Sequence, residues 1–256
     1  MSKNPAKDFG LIADSYAFFE THATEAEQDA AAYAMLLAEI VPADETIRML
    51  DFGCGSGSFT ARLLDKICWP PERLRLTLVE PVASARQQAV ARLTGFSDTT
   101  IAESAMLPDG FVGCFDVVLA NHVLYYVSEL VDHLRKLVDA LSPSDVFLMA
   151  IAGRANALIQ FWIAGFGLLG REIPYNTSED VEAALRDLGA RYAKHEVAYE
   201  LTFPDTEQNR MHIFHFLLAD YLASMPRKPL LDLFDPYTKD GRIEIRTASD
   251  HFTIQA

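Results

Sequence analysis

Residues 49–60 read Met-Leu-Asp-Phe-Gly-Cys-Gly-Ser-Gly-Ser-Phe-Thr, and this stretch decides the fold of the chain. An apolar run ends in an acid and is followed by glycines at the alternate positions 53, 55 and 57. Glycine allows positive φ and lets a ligand lie against bare backbone. The pattern therefore predicts a buried strand, a tight turn and a helix N-terminus. The dinucleotide fingerprint G-x-G-x-x-G would need glycine at position 58, where the chain has Ser58.

The remainder of the chain alternates between apolar strand patterns and helix patterns. Strands are expected at about Ile47–Phe52, Leu74–Val79, Thr99–Ala102, Phe115–Ala120, Asp145–Ile151 and Val197–Phe203, with a last antiparallel strand within 242–254. Helices are expected at about Phe9–Ile40, Gly57–Ile67, Pro81–Leu93, Ser128–Leu141, Thr177–Leu188 and Met211–Met225, with an apolar inserted helix within 153–176. Such alternation predicts a parallel sheet with right-handed crossovers.

Several polar residues follow directly after predicted strands. Glu80 ends the second strand, and Asn121 and His122 follow the fourth. Ligands of parallel sheets bind beyond the carboxyl ends of the strands. We therefore expect these residues and the glycine turn to meet in one crevice.

The Asp-x-Gly-x-Gly-x-Gly form of the turn resembles motif I of the class I S-adenosylmethionine-dependent methyltransferases. The resemblance implies a Rossmann-like α/β fold with a seven-stranded, mostly parallel sheet whose last strand is antiparallel. We interpret residues 1–256 as one domain. It would comprise an N-terminal helical lid (1–45), a cofactor-binding core (46–152) and two helical insertions on the substrate side (153–177 and 204–240).

The same resemblance implies S-adenosyl-L-methionine as cofactor, with S-adenosyl-L-homocysteine as its product. Asp51 would orient the methionine ammonium, and the carboxylate of Glu80 offers two acceptor oxygens to the two ribose hydroxyls. Glu103 and Ser104, after the third strand, are the candidates for contact with adenine. The cofactor-binding residues predicted in full are Asp51, Gly53, Gly55, Gly57, Glu80, Pro81, Glu103, Ser104 and Asn121.

Four further segments resemble the histamine N-methyltransferase family. They are Val79-Glu80-Pro81, Leu124-Tyr125-Tyr126-Val127, Tyr175-Asn176-Thr177-Ser178-Glu179-Asp180 and His22-Ala23-Thr24-Glu25-Ala26-Glu27-Gln28. Their order and approximate spacing extend over nearly the whole chain, and similarity elsewhere is thin. Shared architecture and a similar style of substrate follow, without implying the same substrate.

Carried over by position, Glu25 matches the family carboxylate that contacts the substrate amine. The substrate-binding residues implied are Phe9, Tyr16, Glu25, His122, Tyr126, Trp162, Tyr175 and Phe216, and the catalytic candidates are His122, Glu25 and Tyr126. His122 departs from the pattern, because the family has a hydrogen-bonding Gln there. A histidine can take the substrate's proton or hold it by a hydrogen bond.

The favoured hypothesis is N-methylation of a small amine, imidazole or other azole. An O-methyltransferase for a small carboxylate or hydroxyl is the alternative, with Arg154 or Arg171 available to bind a carboxylate. A non-catalytic cofactor-binding partner protein is a third possibility. The chain has no Asn/Asp-Pro-Pro-Tyr/Phe after strand four, which argues against methylation of nucleobase amines or of protein glutamine.

Composition narrows the partners further. The net charge is −14, from 36 acids against 22 bases, and no basic run offers a face for nucleic acid. No membrane span or signal peptide is evident, so a cytoplasmic monomer or dimer is expected. Cys54, Cys68 and Cys114 are expected to be buried free thiols, and no Cys or His cluster has zinc spacing.

Overall fold

The computed structural model describes residues 11–42, 45–107 and 110–255. Its strands are β1 (Ile47–Phe52), β2 (Leu74–Val79), β3 (Ala102–Ser104), β4 (Phe115–Asn121), β5 (Leu141–Ile151), β6 (Tyr192–Pro204), β7 (Thr238–Lys239) and β8 (Arg242–Gln255). Its helices are α1 (Ala13–His22), α2 (Glu25–Ile40), α3 (Ser58–Ile67), α4 (Ala83–Leu93), α5 (Leu130–Ala140), α6 (Ala157–Leu168), α7 (Ser178–Asp187), α8 (Glu207–Leu218) and α9 (Arg227–Asp232).

The strands form a single mixed sheet in the order β3-β2-β1-β4-β5-β8-β6. Neighbours from β3 to β5 are parallel, and β8 runs antiparallel to both β5 and β6. The predicted seven-stranded, mostly parallel sheet with its last strand antiparallel is confirmed. Among the described residues the sheet has one strand more than predicted, because the two-residue β7 pairs with the start of β8.

Alternate side chains of the central strands point into two separate cores. Met49 of β1 packs in the core beneath α2, α3 and α4, whereas the next residue, Leu50, packs in the core with α5, α6, α7 and α8. The same alternation separates Val117 from Val118 in β4. This period of two is what a strand covered on both faces requires. The parallel pairing of β1 to β5 places their carboxyl ends at one edge of the sheet.

The N-terminal region contains two helices where one was expected. The helix is interrupted at Ala23 and Thr24, because Thr24 pairs with β6. Thr24 N donates to the carbonyl of Glu200 at 2.8 Å, and Oγ1 of Thr24 accepts from Glu200 N at 2.9 Å. Tyr33 and Leu37 of α2 are fully buried against the sheet. Helix α2 therefore belongs to the layer on one face of the sheet, whereas α1 packs against α8 with Phe19 in the core of the other face.

Other boundaries also differ from the sequence predictions. Strand β3 begins at Ala102, three residues after the predicted start, and β6 extends over Tyr192–Pro204. The predicted helix at 211–225 is α8 followed by a 3-10 turn, Ala219–Ser224. Of the three thiols, Cys54 is buried, Cys114 is half-buried and Cys68 is exposed, so the expectation of buried thiols is wrong for Cys68.

Hydropathy along the described helices gives no membrane-crossing candidate, since none combines the length and the apolar character that a span needs.

Candidate active site

The turn after β1 forms a cradle of bare backbone. Gly53 has a φ of 75°, and a Cβ added there would lie 2.1 Å from Cγ2 of Val123, in the loop after β4. Gly55 has a φ of 53°, but a Cβ added there would meet no atom of the described residues within 4 Å. Gly53 is thus packed against protein, whereas the space beside Gly55 is open to a ligand.

Two backbone amides fix Glu80 beside this cradle. Gly55 N donates to Oε2 at 3.1 Å, and Val82 N donates to Oε1 at 2.8 Å. Glu80 is buried, so its orientation is set by these bonds. Each carboxylate oxygen still has a lone pair, which leaves two acceptors for a ribose diol. Pro81 follows as an exposed residue, and α4 begins two residues later than predicted, at Ala83.

Asp51 and Asn121 are buried acceptors that a ligand would satisfy. Asp51 accepts a hydrogen bond from Oγ1 of Thr60, yet burial raises the pKa of its carboxyl to about 7, with a further contribution from the charge of Glu80. Oδ1 of Asn121 has no hydrogen-bond partner among the described residues. Buried polar atoms without partners are costly. The ammonium and ribose of S-adenosylmethionine therefore fit the residues present.

The two candidates for adenine contact are already engaged with protein groups. Glu103 is 44% exposed at its side chain and pairs with Nε of Arg86 at 2.8 Å. The hydroxyl of Ser104 donates to the carbonyl of Met106. Both residues lie at the carboxyl end of β3, at the same edge as the glycine turn, and their contact with adenine stays a prediction.

Most of the residues predicted to bind the methyl-accepting substrate are brought together at the carboxyl edge of the sheet, here called the acceptor edge. Oε1 of Glu25 lies 3.7 Å from Nε2 of His122, and the ring of Tyr126 lies 5.2 Å from that of Tyr175. Burial raises the pKa of Tyr126, and so do Tyr175, Tyr16 and Glu25, in that order. The ring of Tyr16 packs on Phe216 at 5.6 Å between centroids. Phe9 lies outside the described residues.

Trp162 occupies the layer behind this group. Its indole Nε1 donates to the carbonyl of Leu217 in α8 at 2.7 Å, and the residue is 3% exposed. Its ring lies 4.8 Å from that of Tyr175. Trp162 therefore reaches the acceptor region through Tyr175 and ties α6 to α8.

A buried charge cluster surrounds His122. Nε2 of His122 lies 2.9 Å from Oδ2 of Asp29, and Nδ1 lies 3.1 Å from the hydroxyl of Tyr125. Burial opposes a charge on the ring, but Glu25 and Asp29 outweigh it and raise the pKa of His122 to about 9. Burial likewise opposes a charged Asp29, but His122 and His251 lower its pKa to about 2.

Burial raises the pKa of Glu25, and His122 counteracts this effect. The hydroxyl of Ser249 donates to Oε1 of Glu25 at 3.2 Å.

Sequence reasoning missed Asp29, His251, Tyr125 and Thr60. Asp29 has an internal signal, since it lies four residues after Glu25 and so faces the same side of α2. His251 has none, because β8 meets α2 only in the folded chain. His122 has a φ of 52°, a left-handed backbone that is uncommon outside glycine and typical of functional turns.

Comparisons with known proteins identify relatives of this chain. Residues 50–146 match the model of a methyltransferase domain. A trans-aconitate 2-methyltransferase of Rhodopseudomonas palustris (strain BisB18) is 38% identical over 136 residues, which are 52% of this chain and 47% of that protein. Histamine N-methyltransferase A of Xenopus laevis is 24% identical over 230 residues, 77% of each chain.

A solved structure from Bacillus halodurans, assigned as a methyltransferase, covers 87% of this chain and 97% of its own, with a TM-score of 0.56 and 12% identity. That likeness concerns the fold alone. The match to the R. palustris enzyme spans less than half of that protein's length. The predicted resemblance to class I methyltransferases is confirmed.

Proposed function

We propose that this chain, a class I S-adenosylmethionine-dependent methyltransferase and a distant homologue of histamine N-methyltransferase, methylates a nitrogen of a small amine, imidazole or other azole. The observation that carries the proposal is the pair of carboxylates, Glu25 and Asp29, on either side of His122. No described Lys or Arg is buried, and His122 is the basic residue that faces both acids.

The charge of this cluster favours a cationic or N–H-bearing acceptor. Asp29 and Glu25 both face His122, at 2.9 and 3.7 Å, so the three groups carry one negative charge more than a protonated His122 compensates. A charge-assisted hydrogen bond to an amine would satisfy it and is worth about 1.5–3 kcal/mol. Tyr126 and Tyr175 add aromatic faces beside it, which attract cations.

The protein's part in the reaction is binding and orientation. When bound, S-adenosylmethionine supplies an electrophilic methyl group on its sulfonium. Glu80, Asp51 and Asn121 would hold this cofactor against the turn at Gly55. Glu25 would hold the acceptor nitrogen, and fixing the reacting groups in this way can remove several kcal/mol from the barrier.

O-methylation of a small carboxylate is the second candidate, because the R. palustris relative is named for trans-aconitate. Such a substrate would need a cation in the pocket. Arg154 and Arg171, the candidates for that role, are both exposed, and the acids near His122 would repel a carboxylate. The charge arrangement therefore favours nitrogen over oxygen.

The test is a methyl-transfer screen with labelled S-adenosylmethionine. Small primary and secondary amines, imidazoles and azoles form one set, and small mono-, di- and tricarboxylates and phenols form the other. Product in the nitrogen set, with Glu25→Gln lowering kcat/KM at least about ten-fold, is the expected result.

Glu27→Gln is the matched control, because Glu27 lies on the same helix but is exposed and pairs with Arg62 and Lys66. Its kcat/KM should equal that of the unmodified protein. Product from the acids alone would establish the O-methyltransferase instead. No product from either set, together with no cofactor binding in calorimetry, would favour a protein without methyl-transfer activity.

A further inference from the structure

Asp29 is a buried carboxylate that bridges two histidines from different strands. Its Oδ2 lies 2.9 Å from Nε2 of His122, at the end of β4, and its Oδ1 lies 2.8 Å from Nε2 of His251, in β8. Asp29 and His251 are both completely buried. Neither residue has a role in the cofactor site, yet together they link α2, β4 and β8 at the acceptor edge.

The opposite side of the His122 ring is also fixed. Nδ1 lies 3.1 Å from the hydroxyl of Tyr125, and that oxygen also accepts from Ala152 N at 2.6 Å. When both ring nitrogens carry hydrogen, Nε2 donates to Asp29 and Nδ1 donates to Tyr125. Neither nitrogen then has a lone pair with which to take a proton.

We infer that Asp29 is a positioning residue that holds His122 as a cation at the acceptor edge, with His251 anchoring Asp29 from β8. A buried carboxylate at this distance stabilises the charged ring, and a carboxylate paired on both oxygens is itself stabilised in the charged form. His122 then serves as a fixed cation and hydrogen-bond donor, rather than as the general base that its type suggests.

The route of the substrate's proton rests on the proposed function. With His122 already protonated and Asp29 paired with two histidines, Glu25 is the acid of this cluster that is left to take a proton. With S-adenosylmethionine bound, the nitrogen lone pair would form the N–CH3 bond while the S–CH3 bond breaks with its electron pair left on sulfur. The N–H bond would break with its electron pair left on nitrogen, and an O–H bond would form on Glu25. Glu25 is suited to this step because burial raises the pKa of its carboxyl.

All titratable neighbours of His122 must be considered in a test based on its protonation. Helix α2 contributes Glu25 and Asp29, the loop after β4 contributes Tyr125 and Tyr126, β6 contributes Tyr199 beside Glu25, and β8 contributes His251 beside Asp29. Of these, Asp29 makes the shortest contact with the ring nitrogen. Removing its charge and hydrogen bond should therefore lower the pKa of His122, as removing the charge of Glu25 should.

The experiment is nitrogen-15 NMR of the full chain with labelled histidine, without cofactor or substrate. The His122 signals are assigned by their loss in His122→Asn, which tolerates a left-handed backbone. In the unmodified protein both ring nitrogens of His122 should carry hydrogen at pH 7. One of them should lose it in a titration with a midpoint near the pKa of about 9. In Asp29→Asn the transition should fall by more than roughly one pH unit.

His251→Gln is the control, because glutamine can still donate to Asp29 while the carboxylate keeps its charge. Its His122 transition should stay within roughly half a pH unit of the original. A His122 that titrates near 6.5 in the unmodified protein, or an unchanged transition in Asp29→Asn, would overturn the inference. The first of these outcomes decides the matter even where Asp29→Asn does not fold.

These readouts use no methyl acceptor. A failed amine screen with a charged His122 would remove the proposed function and leave Asp29's role intact.

Discussion

Gly53 and Gly55 have the same left-handed backbone but different surroundings. Alanine should therefore lower the unfolding free energy by different amounts at the two positions. At both positions the left-handed conformation costs a side chain about 1–2 kcal/mol. At Gly53 the added Cβ would also lie 2.1 Å from Cγ2 and 2.7 Å from Cβ of Val123, and overpacking of this kind costs about 1–3 kcal/mol. We expect Gly53→Ala to lose about 2–5 kcal/mol and Gly55→Ala about 1–2 kcal/mol of unfolding free energy.

Urea unfolding of the two variants measures this difference, with equal m-values as the check that the denatured states are comparable. Val123→Ala removes the atoms that the new Cβ would strike. The double variant Gly53→Ala/Val123→Ala should therefore recover at least about 1 kcal/mol relative to the sum of the single changes. Equal losses at the two glycines, or no coupling with Val123, would refute the packing argument.

Gly55→Ala should weaken cofactor binding although it costs less unfolding free energy than Gly53→Ala. None of the residues that the structure describes has an atom within 4 Å of a Cβ at Gly55, so the methyl of Gly55→Ala would occupy ligand space. Calorimetry with S-adenosylhomocysteine should show affinity at least about ten-fold weaker, equal to about 1.4 kcal/mol, in a protein that remains folded. Unchanged affinity in Gly55→Ala would mean that the cofactor does not lie against this turn.

Two further outcomes are expected. Asn176→Ala should lower the unfolding free energy by about 2–4 kcal/mol in urea titrations, because Nδ2 donates to the carbonyls of Leu124 and Val127 at 2.8 and 2.9 Å and both would lose a buried donor; a loss below 1 kcal/mol would contradict this. Since Asp51 has a pKa of about 7 and a cationic ligand binds its charged form, calorimetric affinity for S-adenosylmethionine should rise about five-fold from pH 6 to 7, and Asp51→Asn should abolish that rise.

The cofactor side could be predicted from sequence because its signals are local. The glycine spacing and Glu80 lie directly after strands whose apolar runs are unmistakable, and the parallel pairing of the strands follows from the alternation of elements. Strand β3 shows the limit of this reasoning. Its residues Ala102 and Glu103 are exposed, so no apolar pattern marks them, and pairing with β2 alone defines the strand.

The substrate-binding side could be predicted only in part, because the contacts that define it join residues that are distant in sequence. The break between α1 and α2 is made by Thr24 pairing with Glu200, which is distant in sequence. The environment of His122 depends in the same way on Asp29 and on His251. A residue type can suggest a general base, but its protonation is decided by partners that only the fold brings near.

The charges around His122 bear on the difference between this chain and the family that it resembles. The family that this chain resembles has a neutral glutamine there, and Glu25 beside a neutral amide gives a formal charge of −1. In this chain a protonated His122 adds one positive charge, and Asp29 adds one negative charge at 2.9 Å. The sum over Glu25, His122 and Asp29 is again −1. Histidine with a buried aspartate thus presents the acceptor with the same net charge as glutamine alone, while replacing a rotatable amide by a ring held on both nitrogens. Histidine in place of glutamine at position 122 therefore leaves the net charge that the substrate meets unchanged. This balance is compatible with the same class of nitrogen substrate.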